Sequence, residues 1–202
     1  MSPTGGDQRE DLARLVRDAV GAHQTAVEAA LGALLPQILE YGRLVAQALG
    51  QGKKLLACGN GGSAAEAQHL VAELVGRFHE ERRPLPAIAL TTDMSVITSI
   101  GNDLSYTEIF ARQVQALGQE GDIAIAISTS GNSPNVLRAV EAAKQKGITT
   151  VGFTGGTGGK LVNLVDHAFV VPSKNTARIQ ETHITLGHII CELVEEHLFG
   201  ET

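Results

Sequence analysis

The sequence predicts an α/β fold, a three-layer α/β/α sandwich with a five-stranded, mostly parallel sheet, preceded by N-terminal helices. Two observations predict it. After residue 52, five short apolar runs are each followed by glycine or small polar residues and then by a helical pattern. Before residue 52, apolar residues recur only at helical spacing. Strands that alternate with helices in this way are typical of a parallel sheet covered on both faces.

The five predicted strands span residues 54–58, 86–90, 123–128, 150–154 and 168–171. The N-terminal part predicts two amphipathic helices, over residues 11–34 and 36–49, with Pro36 in the first turn of the second. Residues 1–8 are polar, and we expect them to be frayed. We interpret 1–202 as one domain, in which 1–52 are helices used in oligomer packing and 53–202 are the α/β core.

Composition excludes several classes of function. The chain has 202 residues, of which 43% are hydrophobic, and a net charge of −6. Because nucleic-acid phosphates are neutralised by clustered Lys and Arg, no nucleic-acid partner is expected. No apolar run approaches the ~18 residues of a membrane span, so no membrane partner is expected. Cys58 and Cys191 lack metal-binding spacing, which favours a reduced, cytoplasmic protein.

A glycine-rich turn and the helix behind it form the first candidate site. The turn 59–62 follows the first strand, and Ser63 with Glu66 predicts a capping box that starts a helix at Ser63. His69 and Glu73 lie on the face opposite the apolar stripe, among small residues, which indicates that a ligand or another subunit comes close. The predicted buried stripe comprises Ala67, Leu70, Val71, Leu74, Val75 and Phe78.

The His69–Glu73 spacing has two interpretations. On spacing alone, the residues are an ordinary surface pair that stabilises the helix by about 0.3 kcal/mol. The same spacing places an imidazole and a carboxylate on one helical face, which can ligate zinc. The glycines also fit a loose dinucleotide fingerprint. Asp93, however, comes about ten residues later than the ribose-binding acid usually does, which disfavours a nicotinamide enzyme.

A hydroxyl-rich loop follows the third predicted strand. It precedes a helix over residues 135–146, with a serine at the cap and Pro134 in the first turn. Hydroxyl donors, free N–H groups and the positive end of a helix together favour a phosphate. Since no Walker sequence is present, we predict a bound phosphomonoester, and the alternative is a serine-rich connecting turn. The hydroxyl residues are Ser128, Thr129, Ser130 and Ser133.

The last predicted helix, residues 177–198, carries polar residues opposite its apolar side. Gln180, His183 and His188 lie on that polar side. Gln180 and His188 are about 12 Å apart along a straight helix. Bringing both to one ion therefore requires a distorted helix start or groups from different subunits. Taken singly, each histidine is equally well explained as a hydrogen-bonded interface residue.

In combination, these motifs resemble the bacterial phosphoheptose isomerases, which have the sugar-isomerase (SIS) fold. The resemblance covers nearly the whole chain. The serine loop alone marks only the broad fold, whereas its combination with His69, Glu73, Gln180 and His188 is much more specific. The matching segments are Gly-Asn-Gly-Gly-Ser at 59–63, His69-x-x-x-Glu73, Gly101-Asn102-Asp103, Ser128–Ser133 and Arg178-Ile179-Gln180-Glu181 with His188.

The resemblance implies a homotetramer with active sites between subunits. It implies conversion of sedoheptulose 7-phosphate to D-glycero-D-manno-heptose 7-phosphate via an enediol, an early step toward ADP-heptose for lipopolysaccharide. It also implies one zinc ion per subunit, at the positions of His69, Glu73, Gln180 and His188. The implied sugar-phosphate site comprises Asn60, Gly61, Gly62, Glu73, Asn102, Asp103, Ser128, Thr129, Ser130, Ser133 and Gln180.

Ketose–aldose exchange suits these side chains chemically. We assign Glu73 as the base that moves a proton between neighbouring carbons, and His188 as the acid/base group that acts on the oxygens. Zinc would polarise the carbonyl or only order the site. A carboxylate held firmly by a metal is a weaker base, so both roles of Glu73 hold only if its coordination changes during turnover.

Two rival functions remain open. A relative with the same fold is a non-catalytic regulator that binds the replication initiator protein, and this chain resembles it over residues 85–90 and 178–181. In that branch the positions of Glu73 and His188 hold other residues, which favours the enzyme here. The other rival is an SIS enzyme for a different sugar phosphate, such as an amino-sugar or pentose phosphate. The presence of His69 with Glu73 and His188 favours the heptose branch.

Overall fold

The computed structural model describes the backbone of residues 5–200 and the side chains of residues 9–200. All five predicted strands are confirmed, each bound lying within one residue of its predicted place. The helices are α1 (Gly5–Gly50), α2 (Gly62–Val75), α3 (Met94–Asp103), α4 (Ala111–Leu117), α5 (Pro134–Gln145) and α6 (Thr176–Phe199). The strands are β1 (Leu55–Gly59), β2 (Ala87–Ala89), β3 (Ile123–Ile127), β4 (Thr149–Gly155) and β5 (His167–Val171).

The strands form one sheet in the order β2-β1-β3-β4-β5, and every neighbouring pair is parallel. Successive side chains of a strand point to opposite faces. Leu55 and Ala57 thus pack beneath α1, α2 and α6, whereas Leu56 and Cys58 pack beneath α4 and α5. The sheet is covered on both sides, which confirms the predicted α/β/α sandwich.

The strand order places a crevice between β1 and β3. From β1 the chain crosses to β2 on one side, then returns to build β3, β4 and β5 on the other side. In open α/β sheets, ligands bind outside the carboxyl ends of the strands at such a switch of direction. The loop after β1, residues 59–61, and the loop after β3, residues 128–133, border this crevice. They are the glycine turn and the serine loop.

The prediction of two N-terminal helices is wrong, because α1 is one helix of 46 residues with Pro36 inside it. Proline lacks the N–H that would bond the carbonyl four residues earlier. The buried stripe nevertheless continues in register through Leu34, Ile38 and Tyr41 and packs in the core with residues of α6. Burial of that stripe outweighs one lost hydrogen bond. Of the residues expected to be frayed, 1–4 lie outside the described part and 5–8 begin α1.

The predicted capping box at Ser63 is also wrong. The helix α2 begins one residue earlier, with Gly61 at the N-cap, φ 56°, and no side-chain cap bond. The positive φ turns the chain so that Ser63 is buried in the first turn. A Cβ on Gly59 would lie 2.6 Å from the Ser63 carbonyl oxygen, so glycine is required there. The partner predicted for Ser63, Glu66, points instead toward α6.

The predicted stripe of α2 is only partly buried. Ala67, Leu70 and Leu74 are buried, whereas Val75 in the last helical residue is exposed. Val71 and Phe78 are half-buried against the core formed with α1 and α6. None of the helices that the structure describes combines the length and apolar character that crossing a membrane requires.

A buried ion pair ties the segment after α2 to α6. The Glu195 carboxylate accepts hydrogen bonds from Arg82 Nε at 2.7 Å and from the backbone N–H groups of residues 78–80 at 2.9–3.0 Å. The two side chains are 4% and 1% exposed. Arg82 also donates to the carbonyl oxygens of Glu73 and Leu74. The pair therefore fixes the last turn of α2 relative to α6.

Replacing Glu195 with Gln is expected to lower the free energy of unfolding by about 3 kcal/mol at neutral pH, since it breaks a buried pair and turns an NH₂ group toward backbone donors. Burial by itself would raise the pKa of Glu195, but the N–H donors and Arg82 together lower the pKa below its ordinary value. The stabilisation is thus complete above the unfolded pKa of about 4.3 and is lost as pH falls through the lower folded pKa.

Urea unfolding of wild type and variant near neutral pH and in acid, where the carboxylate becomes protonated, measures this difference. The exposed Glu192→Gln on the same helix is the matched control and should change little. A difference between wild type and Glu195→Gln that stays constant with pH would contradict the role of the charge.

Candidate active site

Side chains of α2 and α6 form a compact cluster. His69 Nε2 lies 2.8 Å from His188 Nε2 and 3.2 Å from Glu73 Oε1. One candidate ligand atom of each residue lies within 4.8 Å of those of the other two. All three residues belong to one chain. The structure therefore brings these three predicted residues together without a group from a second subunit.

The packing of the two helices explains this convergence. Leu70 and Leu74 of α2 and Leu186 and Ile190 of α6 are buried in one core. The i, i+4 spacing then places His69 and Glu73 one turn apart on another side of α2. His188 emerges on α6 toward them, and the Phe78 ring lies against its imidazole with ring centroids 5.5 Å apart. Glu73 and His188 are half-buried, whereas His69 is exposed.

Gln180 lines the same cavity as the cluster. The helix α6 runs unbroken from Thr176, so the predicted alternative of a distorted helix start is wrong. The Gln180 amide packs directly on Gly62, where any Cβ would clash with it. Glycine at this position thus lets α2 approach the amide. The open cavity has a volume of about 580 Å³ and is lined by Gly62, Ala65, Glu66, His69, Gln180, Glu181, Ile184 and His188.

His183 has a different position from the one its sequence suggests. Its side chain is fully buried inside the chain, and Nε2 lies 3.1 Å from the carbonyl oxygen of Thr154 at the end of β4. Because a carbonyl only accepts, Nε2 must donate. Nδ1 lies 3.7 Å from Glu66 Oε2, and neither atom has a hydrogen-bond partner within the described residues. His183 thus connects α6 to the sheet.

The serine loop is held in shape by its own side chains. Ser128 is buried, and its Oγ lies 3.0 Å from Ser133 Oγ. Ser133 occupies the N-cap of α5 as predicted, yet its side chain makes no cap bond. Asn132 binds Ser130 through both its backbone N–H and its side-chain amide. Thr129 and Ser130 border a further cavity of about 330 Å³ beside Lys174 and Thr176.

Sequence reasoning missed Asn135 and Tyr106, whose side chains bind the predicted residue Asn60 of the glycine turn. Asn60 and Asn135 form a reciprocal pair of hydrogen bonds, 2.9 and 2.8 Å long, across the β1/β3 crevice. The Tyr106 hydroxyl donates to Asn60 Oδ1 at 3.1 Å. The available signal was a polar residue, Asn135, directly after the first-turn proline of α5.

Asn102 and Asp103 lie in the last turn of α3, where both are exposed. Asn102 Nδ2 donates to Asp103 Oδ1 at 2.8 Å. Within residues 9–200, no hydrogen bond joins either side chain to the other predicted site residues. Tyr106, three residues beyond Asp103, hydrogen-bonds Asn60 of the glycine turn.

Comparison with known proteins identifies the family. The sequence matches the SIS domain over residues 20–155. A phosphoheptose isomerase from Thermodesulfovibrio yellowstonii is 59% identical over 162 residues, which cover 80% of this chain and 81% of that protein. One from a Roseiflexus species is 52% identical over 192 residues, 95% of this chain and 98% of that protein. The chain belongs to the phosphoheptose isomerase family.

Solved structures agree with this assignment to the phosphoheptose isomerases. The phosphoheptose isomerase from Neisseria gonorrhoeae superposes with a TM-score of 0.87 at 41% identity, covering 92% of this chain and 99% of that one. The predicted resemblance, the SIS fold and the enzyme class, a sugar-phosphate isomerase, are thereby confirmed. The relatives named here carry the enzyme's name, and nothing in the comparison favours the regulator.

Proposed function

We propose that this phosphoheptose isomerase converts sedoheptulose 7-phosphate to D-glycero-D-manno-heptose 7-phosphate through an enediol, as an early step toward ADP-heptose and lipopolysaccharide. The observation that carries the proposal is the convergence of His69, Glu73 and His188 in one cluster, two members of which, His69 and His188, line an open cavity. An imidazole and a carboxylate side by side can move protons among neighbouring carbon and oxygen atoms near neutral pH. The family relationship supports a heptose phosphate as the substrate.

We assign the phosphate to the serine loop and the sugar to the glycine turn. The loop's hydroxyl groups stand at the N-terminal end of α5, whose free N–H groups and dipole favour an anion. Both loops border the β1/β3 crevice, where ligands of open α/β sheets bind. The proposed phosphate residues are Ser128, Thr129, Ser130 and Ser133. The proposed sugar residues are Asn60, Gly61, Gly62, Glu73, Asn102, Asp103 and Gln180.

The donor set fits zinc. Two imidazole nitrogens and a carboxylate oxygen within 4.8 Å of one another are ligands that zinc prefers. We assign one zinc ion per subunit to His69, Glu73 and His188. Gln180 is proposed as the fourth ligand and, because α6 is unbroken, it would come from a neighbouring subunit. When bound, the ion would polarise the sugar carbonyl or order the site.

In this mechanism the protein's own groups transfer the protons. The Glu73 carboxylate takes a proton from C1 of the ketose, which leaves an enediol once the C2 oxygen is protonated. The same carboxyl returns its proton to C2, while the C1 hydroxyl loses one to form the aldehyde. His188 donates and accepts at the two oxygens. No net proton is gained or lost, as an isomerisation requires.

Assembly into a homotetramer with sites between subunits is part of the same proposal. The apolar residues Leu12, Leu15, Val16 and Val20 of α1 are 53–64% exposed, which is unusual for residues of this kind at helical spacing. We propose that residues 1–52 pack against other subunits through this stripe while 53–202 form the core. Both cysteines are unpaired thiols, which supports the cytoplasm as the location.

Turnover of sedoheptulose 7-phosphate with and without chelator tests the reaction and the metal together. We expect activity to fall about 100-fold or more after chelation and to return with zinc, because such an ion is worth several kcal/mol in the transition state. Arabinose 5-phosphate and glucosamine 6-phosphate serve as comparison substrates. An inert wild type that binds the replication initiator protein would favour the regulator, and faster turnover of a comparison substrate would favour the other sugar-phosphate enzymes.

A further inference from the structure

We infer that Asn135 is a positioning residue, which holds the side-chain amide of Asn60 so that one of its N–H groups donates to an oxygen of the bound sugar phosphate. The inference rests on the proposed function, since it needs a sugar phosphate in the β1/β3 crevice. It is carried by the reciprocal hydrogen bonds between the two asparagine side chains. These are the contacts that join the glycine turn to the start of α5.

A single backbone N–H sets the direction of the whole network. Val136 N–H can only donate, and it is shared between the Ser133 carbonyl oxygen at 3.1 Å and Asn135 Oδ1 at 3.0 Å. The other end of that amide must therefore be Nδ2, which donates to Asn60 Oδ1 at 2.8 Å. Asn60 Nδ2 in turn donates to Asn135 Oδ1 at 2.9 Å. Reversing either amide would place donor against donor or acceptor against acceptor.

The hydrogen bonds within the network leave Asn60 with one donor to spare. Its Oδ1 already accepts from Asn135 Nδ2 and from the Tyr106 hydroxyl. Its Nδ2 carries two hydrogens. One of them is used, and Asn60 Nδ2 makes no second hydrogen bond to any of the residues that the structure describes. The side chain is thus fixed as a donor, which suits the hydroxyl and phosphate oxygens of a sugar phosphate.

Burial makes Asn135 the rigid member of the pair. Asn135 is 2% exposed and sits in the first turn of α5 directly after Pro134, whereas Asn60 is half-buried at the mouth of the crevice. A buried anchor that makes three side-chain hydrogen bonds has little freedom to reorient. A donor held in place before the ligand arrives does not lose orientational freedom on binding, and this is how preorganised polar groups contribute to catalysis.

A double-mutant cycle on Asn60 and Asn135 tests this inference. We expect Asn60→Ala and Asn135→Ala each to raise KM for sedoheptulose 7-phosphate by about tenfold, the loss of one hydrogen bond to a charged or strongly polar ligand. Because Asn135 acts through Asn60, the double variant should be no worse than Asn60→Ala alone. Tyr106→Phe removes only the supporting bond and should raise KM about two- to threefold.

Two further variants of this chain complete the test. Asn135→Asp preserves the shape and the bond from Val136 but replaces the donor by an acceptor, so it should raise KM even where Asn135→Ala fails to fold. Asn163→Ala is the control, because Asn163 is exposed and its side chain makes no hydrogen bond to any other residue that the structure describes. If the wild type turns over sedoheptulose 7-phosphate, two results would overturn the inference and leave the proposed function intact. One is that the KM changes of Asn60→Ala and Asn135→Ala are additive in the double variant. The other is an unchanged KM for Asn135→Asp. An inert wild type would overturn the proposed function and, with it, this inference.

Discussion

Replacing Glu73 with Gln is expected to reduce kcat for sedoheptulose 7-phosphate by about a thousandfold, because the amide cannot take a proton from carbon. The change keeps the side chain's shape. Glu73 is half-buried on α2, and its Oε1 lies 3.2 Å from His69 Nε2. The fold should therefore survive. Steady-state kinetics measure the loss, and circular dichroism with the melting temperature shows whether the protein is still folded.

The same substitution at Glu192, exposed on α6, is the control and should leave kcat unchanged. Zinc content must be measured alongside, since Glu73 is assigned both as ligand and as base. A variant that keeps its zinc and loses turnover supports the base. If Glu73→Gln retains most of the wild-type kcat, the assignment of the base is wrong.

Replacing His188 with Gln is expected to lower kcat by about 10²- to 10⁴-fold and also to lower the zinc bound per subunit. The Nε2 atom of His188 is the contribution of α6 to the cluster, 2.8 Å from His69 Nε2. Without it, the assigned ligands are reduced to His69, Glu73 and Gln180, and the loss of one imidazole should weaken zinc binding. Kinetics and elemental analysis of the purified variant measure both effects.

His197→Gln is the matched control, because His197 is on the same helix and is exposed, and its one side-chain hydrogen bond within the described residues is to the Leu193 carbonyl. It should retain both activity and metal. Full zinc occupancy in His188→Gln would remove His188 from the ligand set. Full activity in that variant would remove it from the chemistry as well.

The strands were predictable because parallel strands buried on both faces have a strong local signature. Residues such as Ile123 and Ile125 lie in a continuous apolar run, and the observed strand bounds follow it closely. The long first helix was not predictable in the same way. Pro36 is a local signal for a helix start, and only the packing of Ile38 and Tyr41 against distant parts of the chain overrides it.

The candidate site shows the same division between local and distant information. His69 and Glu73 share one helical face, so their proximity follows from spacing alone. Their meeting with His188, 119 residues away from His69, depends on how α6 packs on α2. The pairing of Asn60 with Asn135, 75 residues apart, depends on the strand order. Neither is encoded in any short stretch of sequence. The predicted Ser63 cap is wrong because Gly61, two residues earlier, takes a positive φ and becomes the N-cap.

The packing of the first helix against the last has a consequence for biosynthesis. The stripe of α1 that contains Ile38 and Tyr41 shares its core with Ile190 and Val194, which lie about 150 residues later in the chain. At about 5–20 residues per second, a ribosome takes roughly 8–30 s to synthesise the residues between them. For most of that time the apolar stripe of α1 lacks its packing partner on α6, so we expect chaperones that hold unfolded chains to bind the nascent polypeptide. A messenger RNA truncated before the codons of α6 would yield an aggregation-prone fragment that lacks His188.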